Sequence, residues 1–254
     1  MLAIERRNAI LEKLQAERRV VVSELSNLFD VSEETIRRDL EKLENEGFVI
    51  KSYGGAVLKE NTNLDLPFKV RKNTNVVGKQ RIAELIKEMI HEGEHIFLDA
   101  SSTAVAIAKA IKDHDDITII TNSLEIAIEL LDAPGCKVIS TGGVVTESSY
   151  ALVGHVTDRT ISSYCVDKAI VSSKGFDLNV GFTDSDERHA NNKKSMLSGA
   201  RVKILAVDSS KFNKISFAKI GDFKDITTVV TDKRPADEWL EKFEQYKVEC
   251  IYAE

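Results

Sequence analysis

The chain has 254 residues, 43% of them apolar and only three of them proline, which is enough apolar material for one large or two ordinary domains with packed cores. Its formal charge of −6 excludes a polycation that grips nucleic acid by bulk charge alone. No run approaches the ~20 apolar residues that a bilayer-spanning helix needs, and charges interrupt the opening MLAIERRNAI too often for a signal peptide, so a cytoplasmic location is expected.

The N-terminal fifth carries no basic excess either. Residues 1–58 hold nine Lys/Arg against eleven Asp/Glu, a balance of −2 that leaves −4 for the rest. Cys136, Cys165 and Cys250 match neither a disulfide framework nor a zinc spacing; they read as buried thiols, and neither a metal nor a cofactor is expected.

Residues 2–17 read as a helix, with Ile4, Ala9, Ile10, Leu11 and Leu14 at helical spacing on one apolar face. Residues 18–22 are β-branched and read as extended. Ser23 suits the N-cap of a second helix that points Leu25, Leu28 and Phe29 inward. Asp30-Val31 reads as a turn. Ser32 then caps a third helix that stops before Gly47, a favoured helix-ending residue. In that helix Ile36, Leu40 and Leu43 fall at i, i+4 and i+7 and mark the buried stripe. Glu34, Thr35, Arg38, Glu41 and Lys42 lie opposite, and Arg37 lies on the flank.

A helix-turn-helix whose second helix carries adjacent arginines fits the major groove of duplex DNA. Its faces give Arg38 a base edge and Arg37 a phosphate. Glu34, four residues before Arg38, can hold the guanidinium or accept from cytosine. Residues 48–58 read as two short strands around Gly54-Gly55, a β-wing, with Lys51 and Tyr53 set to touch the sugar-phosphate backbone. The expected DNA-binding set is Ser32, Glu34, Thr35, Arg37, Arg38, Lys42, Lys51 and Tyr53, with Arg18 and Arg19 adding local positive charge; the expected partner is double-stranded operator DNA. A solvated charged helix face is the plainer alternative for the arginines taken alone. Residues 59–77 are polar, with Asn61, Asn63, Asn73 and Asn75 and little periodicity. They read as a linker, giving a DNA-binding domain 1–58 and a second domain 78–254.

From Gly78 onward helices alternate with apolar strands. Strands are expected at 95–99, 117–121, 137–141, 166–172, 203–208, 226–231 and 248–252. Helices are expected at 79–91, 103–112, 123–131, 155–163, 186–200 and 236–246. This alternation predicts an α/β domain with a mostly parallel sheet. In such sheets ligands bind beyond the carboxyl ends of strands, and small polar residues recur there: Asp99-Ala100-Ser101-Ser102-Thr103, Thr121-Asn122-Ser123, Gly142-Gly143 and Asp208-Ser209-Ser210-Lys211. Hydroxyls at a helix N-terminus suit a phosphate, glycines admit a ligand close to the backbone, and Lys211 brings a cation. Each end alone reads equally well as a cap or turn; four on one rim are harder to explain that way.

The run SELSNLFDVSEETIRRDLEKLENEGFVIKSYGGAV resembles the DNA-binding signature of the DeoR family of bacterial repressors, with Tyr53 where that family usually has His. PFKVRKNTN in the linker again resembles the family, and the series FLDASST, TNS, TGG, VG, VDKAIVSSKGFD, GFTD and AVDSSKF resembles the DeoR-type sensor domain, which is related in fold to ribose-phosphate isomerases, glucosamine-phosphate deaminases and coenzyme A transferases. The resemblance implies a phosphorylated sugar effector, a homodimer or higher homo-oligomer, and a ligand loop of Asp99, Ser101, Ser102 and Thr103, joined by Asn122, Gly142, Gly143, Lys193 and Lys211. His189 stands where the family usually has an acidic residue, and it reads as a solvated helix residue rather than a ligand.

A sugar-phosphate isomerase or deaminase fused to a DNA-binding head is the competing expectation. Such chemistry needs a general base over the substrate, and the stretch after the strand at 166–172 offers no carboxylate before Asp177. No Gly-x-Ser-x-Gly elbow occurs either. The expectation is therefore a transcriptional repressor of carbohydrate-metabolism genes, relieved by its effector, and not an enzyme. A purely architectural DNA-binding protein leaves the polar strand ends unexplained.

Overall fold

The computed structural model describes residues 1–59 and 66–253, so Asn61 and Asn63 of the expected linker lie outside the described residues. The chain divides into two compact units, Met1–Thr74 and Asn75–Glu254.

The first unit runs α1 (Ala3–Glu17), β1 (Arg19–Val21), α2 (Val22–Phe29), α3 (Glu33–Asn45), β2 (Val49–Ser52), β3 (Gly55–Leu58) and α4 (Phe68–Asn73). Its three strands form an antiparallel sheet in the order β1-β3-β2. The expected stripe Ile36, Leu40 and Leu43 is fully buried, packed with Ile10, Leu11 and Leu14 of α1 and Leu25 of α2. Gly47 takes a φ of 83°, and the Phe48 N–H reaches back to the Leu43 carbonyl, which closes α3 where the sequence predicts.

Several local expectations shift. Ile4 is exposed, because it lies ~9 Å along α1 ahead of Ile10, at 1.5 Å per residue. Leu28 is exposed because it sits ~100° around α2 from Phe29, off the inward stripe. Ser23 does not cap α2: β1 runs straight into that helix, Val21 takes the cap position and Ser23 falls inside the first turn. The segment expected as linker contains α4, whose Val70 is buried in this unit's core, while Asn73 Nδ2 donates to Glu12 Oε1 at 2.7 Å. Within α4 only Phe68 and Val70 are apolar, too few to show a helical period.

The second unit runs α5 (Val76–Lys87), β4 (His95–Leu98), α6 (Ser102–Ala110), β5 (Ile117–Thr121), α7 (Leu124–Glu129), β6 (Cys136–Ser140), β7 (Val144–Thr146), β8 (Ala151–Val153), α8 (His155–Ser162), β9 (Val166–Val171), β10 (Gly175–Asp177), β11 (Gly181–Asp184), α9 (Glu187–Ser198), β12 (Ala200–Ala206), β13 (Ala218–Gly221), β14 (Thr228–Thr231), α10 (Asp237–Tyr246) and β15 (Glu249–Tyr252). The seven expected strands form one all-parallel sheet in the order β15-β14-β12-β9-β4-β5-β6. The chain winds outward from β4 through β5 and β6, then outward the other way from β9. The strand order therefore reverses between β4 and β9, and their carboxyl ends open the crevice where such sheets bind ligands.

Two small antiparallel sheets, β7-β8 and β10-β11-β13, are additions the sequence does not announce. Their strands are three or four residues long and carry no extended alternation. Phe176, Phe182, Phe223, Trp239 and Phe243 fill the core on one side of the main sheet. Cys136 and Cys250 are only half-buried on the two edge strands, and burial pushes both thiols up to about 11. Cys165, expected inside, is exposed in the connection before β9.

Candidate functional site

On α3 the Ser32 hydroxyl accepts from the Thr35 N–H at 3.3 Å, so Ser32 and Thr35 shape the first turn of the helix. Arg38 Nε donates to Glu34 Oε1 at 3.2 Å, the pairing the sequence predicts, and Arg37 Nη2 donates to Glu33 Oε2 at 2.7 Å. Both arginines are well exposed. Exposed i,i+4 pairs are worth only ~0.3–0.5 kcal/mol, so a phosphate or base can displace either carboxylate. Lys42 is exposed on the same helix.

The wing is tied to α3. Glu44 accepts from the Lys51 backbone N–H at 3.0 Å and lies 3.3 Å from its ammonium, and the backbone hydrogen bond foremost holds the Glu44 carboxyl below its usual range. Tyr53 stands fully exposed at the hairpin turn. Behind these residues lies an ion pair the sequence reading misses. Asp39 is buried in α3, with Arg6 Nε at 2.5 Å and Arg7 Nη1 at 3.6 Å. It fixes α3 on α1 and so sets the angle at which Arg37 and Arg38 are presented.

In the second unit two of the expected rim residues, Ser101 and Lys193, meet Asp99. Its carboxylate accepts from the Ser101 N–H at 3.2 Å and, from the neighbouring strand end, from the Ser172 N–H at 3.1 Å. The Lys193 ammonium lies 3.2 Å from Asp99 Oδ2 and in closer contact with Asp184 Oδ2. All three side chains are buried. Burial opposes the charge on Asp184, but Lys193, with Lys174 and His189 behind it, outweighs burial and holds the carboxyl well below the usual range. Burial likewise opposes the Lys193 charge, and Asp184 with Asp99 raises it instead. Lys193, expected in the ligand set, is therefore paired with two buried carboxylates.

Ser101 caps α6, its hydroxyl accepting from the Ala104 N–H at 3.0 Å. Ser102 and Thr103 follow in the first turn, and neither hydroxyl has a protein partner among the described residues. Ser123 similarly caps α7, and Asn122 beside it donates from Nδ2 to the Leu152 carbonyl at 3.0 Å. Gly143 has a local explanation: a Cβ there would collide with Thr157 Oγ1 and the Val153 carbonyl. Gly142 keeps a φ of 66°, and its carbonyl accepts from Thr157 Oγ1 at 2.7 Å. Lys211 is half-buried two strands along the rim, ~10 Å from the β4 end at sheet spacing. Burial opposes the Asp208 charge, but Lys211, Ser210 and Lys79 hold that carboxyl below its usual range.

Other rim residues emerge only from the fold. Lys174 lies between β9 and β10. Asp184 ends β11. Asn192 precedes Lys193 and also donates to the Leu152 carbonyl, at 3.2 Å. His189, expected in solvent, is buried, with Nε2 3.1 Å from Ser149 Oγ, because the short β7-β8 hairpin delivers Ser149 to the face of α9.

The family model for the DeoR C terminal sensor domain matches residues 74–233, and that for the DeoR-like helix-turn-helix domain matches residues 6–62. The chain belongs to the DeoR family of transcriptional regulators. It is 41% identical to the uncharacterized HTH-type transcriptional regulator YulB of Bacillus subtilis, over 91% of this chain and 90% of that one. It is 30% identical to the glycerol-3-phosphate regulon repressor of Escherichia coli, over 92% and 93% respectively. Among solved structures, ribose 5-phosphate isomerase A of Methanocaldococcus jannaschii aligns with a TM-score of 0.42 at 15% identity, covering 55% of each chain. Among the described residues no helix is long and apolar enough to cross a membrane.

Proposed function

We propose that this DeoR-family member is a cytoplasmic repressor of carbohydrate-metabolism genes, released from its operator by a phosphorylated sugar bound at the carboxyl-end rim of β4 and β9. The observation that carries the reading is the α6 N-terminus. The Ser102 and Thr103 hydroxyls and backbone N–H groups lie in the first turn of α6, at the strand-order reversal, and donors of that kind suit a phosphate. Lys174 and Lys211 add positive charge on the same rim. A homo-oligomer would present two α3 helices to half-sites one or more helical turns apart. An effector that binds one state of that oligomer better shifts the population away from the DNA-compatible state.

Catalysis is the rival use of the same rim. A carboxylate can serve as general base only where it is free to take a proton. Asp99 and Asp184 are tied to Lys193, and Asp177 accepts from the Asn179 and Val180 N–H groups in its own turn. A sensor that grips phosphate without turning it over accounts better for this arrangement. The test is a thermal-shift screen of sugar phosphates, with isomerisation and deamination assayed on the same panel. A ligand at 100 times its Kd adds about 2.7 kcal/mol. Stabilisation without turnover is expected; turnover abolished by a rim substitution would contradict the reading.

For the DNA face, Arg38→Ala should cost about 1–3 kcal/mol on the specific operator and relax preference at one base position. Arg37→Ala should weaken specific and random duplexes alike. Binding titrations on both duplexes check this; equal, uniform losses from the two variants would reverse the face assignment.

A further inference from the structure

Three buried polar atoms around Asp99 have no hydrogen-bond partner among the described residues: Asn122 Oδ1, Asn192 Oδ1 and Ser173 Oγ. Their residues are 2%, 1% and 4% exposed, respectively. An unmet buried polar atom costs stability, so three in one neighbourhood call for a partner from outside the protein. The fourth such atom, Trp239 Nε1, sits in the aromatic core cluster.

The three belong to one place. Asn122 follows Thr121 at the end of β5, which pairs with Leu98 just before Asp99. Ser173 follows Ser172, whose N–H binds Asp99. Asn192 precedes Lys193, whose ammonium pairs with Asp99. Asn122 and Asn192 meet at the Leu152 carbonyl, each donating Nδ2 to it. That shared acceptor settles both amide orientations, because a carbonyl takes only donors. The free atom on each asparagine is therefore the oxygen, an acceptor, and whatever meets it must donate a hydrogen bond. A phosphate at pH 7 offers almost only acceptors.

We infer that Asn122 and Asn192, with Ser173, form a hydroxyl-reading subsite, and that Asn192 is a specificity-determining residue for the polyol part of the effector. The inference rests on the effector reading of the rim given above. The site is then divided by hydrogen-bond sense. Donors at the α6 N-terminus take the phosphate, and acceptors at the Leu152 carbonyl take ligand hydroxyl hydrogens. A ligand must carry both ends to satisfy it, which selects phosphate esters of polyols over inorganic phosphate or a phosphate ester of an alkyl chain.

The test uses the full chain, by calorimetric titration and thermal shift. The probes are a panel of pentose and hexose phosphates, monodeoxy analogues of the tightest of them, methyl phosphate and inorganic phosphate. Wild type should bind one parent sugar phosphate at least about tenfold more tightly than one of its deoxy analogues. Asn192→Leu should lose at least about the same factor for the parent, keep its response to inorganic and methyl phosphate, and melt no lower than wild type without ligand, since an unmet oxygen has gone. The deoxy series needs no variant, so it decides the matter even if Asn192→Leu folds poorly. Equal binding of parent and deoxy analogues, with Asn192→Leu unaffected, overturns the subsite while leaving the effector reading intact. A lower melting point in Asn192→Leu with unchanged sugar-phosphate affinity also overturns it, because the oxygen then belongs to a structural water. If wild type binds no sugar phosphate at all, the effector reading falls and takes the subsite with it.

Discussion

Ser102→Glu is expected to abolish the response to effector while leaving operator binding as in wild type. Ser102 lies in the first turn of α6, where its hydroxyl has no protein partner among the described residues and the N–H donors of a helix start lack intrahelical acceptors. A glutamate there places a carboxylate among those donors and repels a phosphate by charge and by volume. The helix itself should not suffer, because an acidic residue in a first turn is favourable. The residues proposed to bind DNA belong to the other compact unit. Operator titrations with and without sugar phosphate check this; release of the variant at the wild-type effector concentration would place the phosphate elsewhere.

Lys193→Met should have the largest effect on stability, about 3–5 kcal/mol, because it leaves two buried carboxylates facing each other without a cation. Asp99 and Asp184 are each 1% exposed, so solvent cannot replace the ammonium. The pH dependence should differ between wild type and variant. In wild type the folded Asp184 carboxyl is depressed, so its stabilisation is complete above the unfolded value of ~3.9 and is lost as pH falls through the folded value. Lys193 is raised, so its share is present below ~10.4 and lost as pH rises through the folded value. The triad should thus add no slope between about pH 5 and pH 9. In the variant, one carboxyl must take up a proton to stay buried, so the deficit should narrow as pH falls. Denaturant unfolding at acidic and slightly alkaline pH measures this. A deficit that is independent of pH would show that the loss is one of packing and not of charge.

What the sequence made legible was local in origin. The α3 stripe, its Ser32 cap and the Gly47 stop depend on neighbours within one or two turns, and all appear as read. The seven sheet strands are mostly apolar runs that alternate with helices, which predicts a parallel sheet but not the order of its strands. The misses are contacts between residues far apart in the chain. Asp39 is buried on account of Arg6, 33 residues away, and His189 on account of Ser149, 40 residues away. Lys193 reads as a cation for the ligand until the fold delivers Asp99 and Asp184 to it. The two orphaned asparagine oxygens are invisible without the Leu152 carbonyl, which a three-residue strand positions. In short, the rim was visible as composition, while its division into donor and acceptor ends was not.

The central claim is a coupling between the rim and the DNA face, and coupling is reciprocal. The direct measurement is operator affinity on wild type, with and without the sugar phosphate that gives the largest thermal shift, alongside affinity for that sugar phosphate with and without operator duplex. The sugar phosphate should weaken operator binding, and the duplex should weaken sugar-phosphate binding by the same factor. A sugar phosphate that binds the rim and leaves operator affinity unchanged would contradict the account.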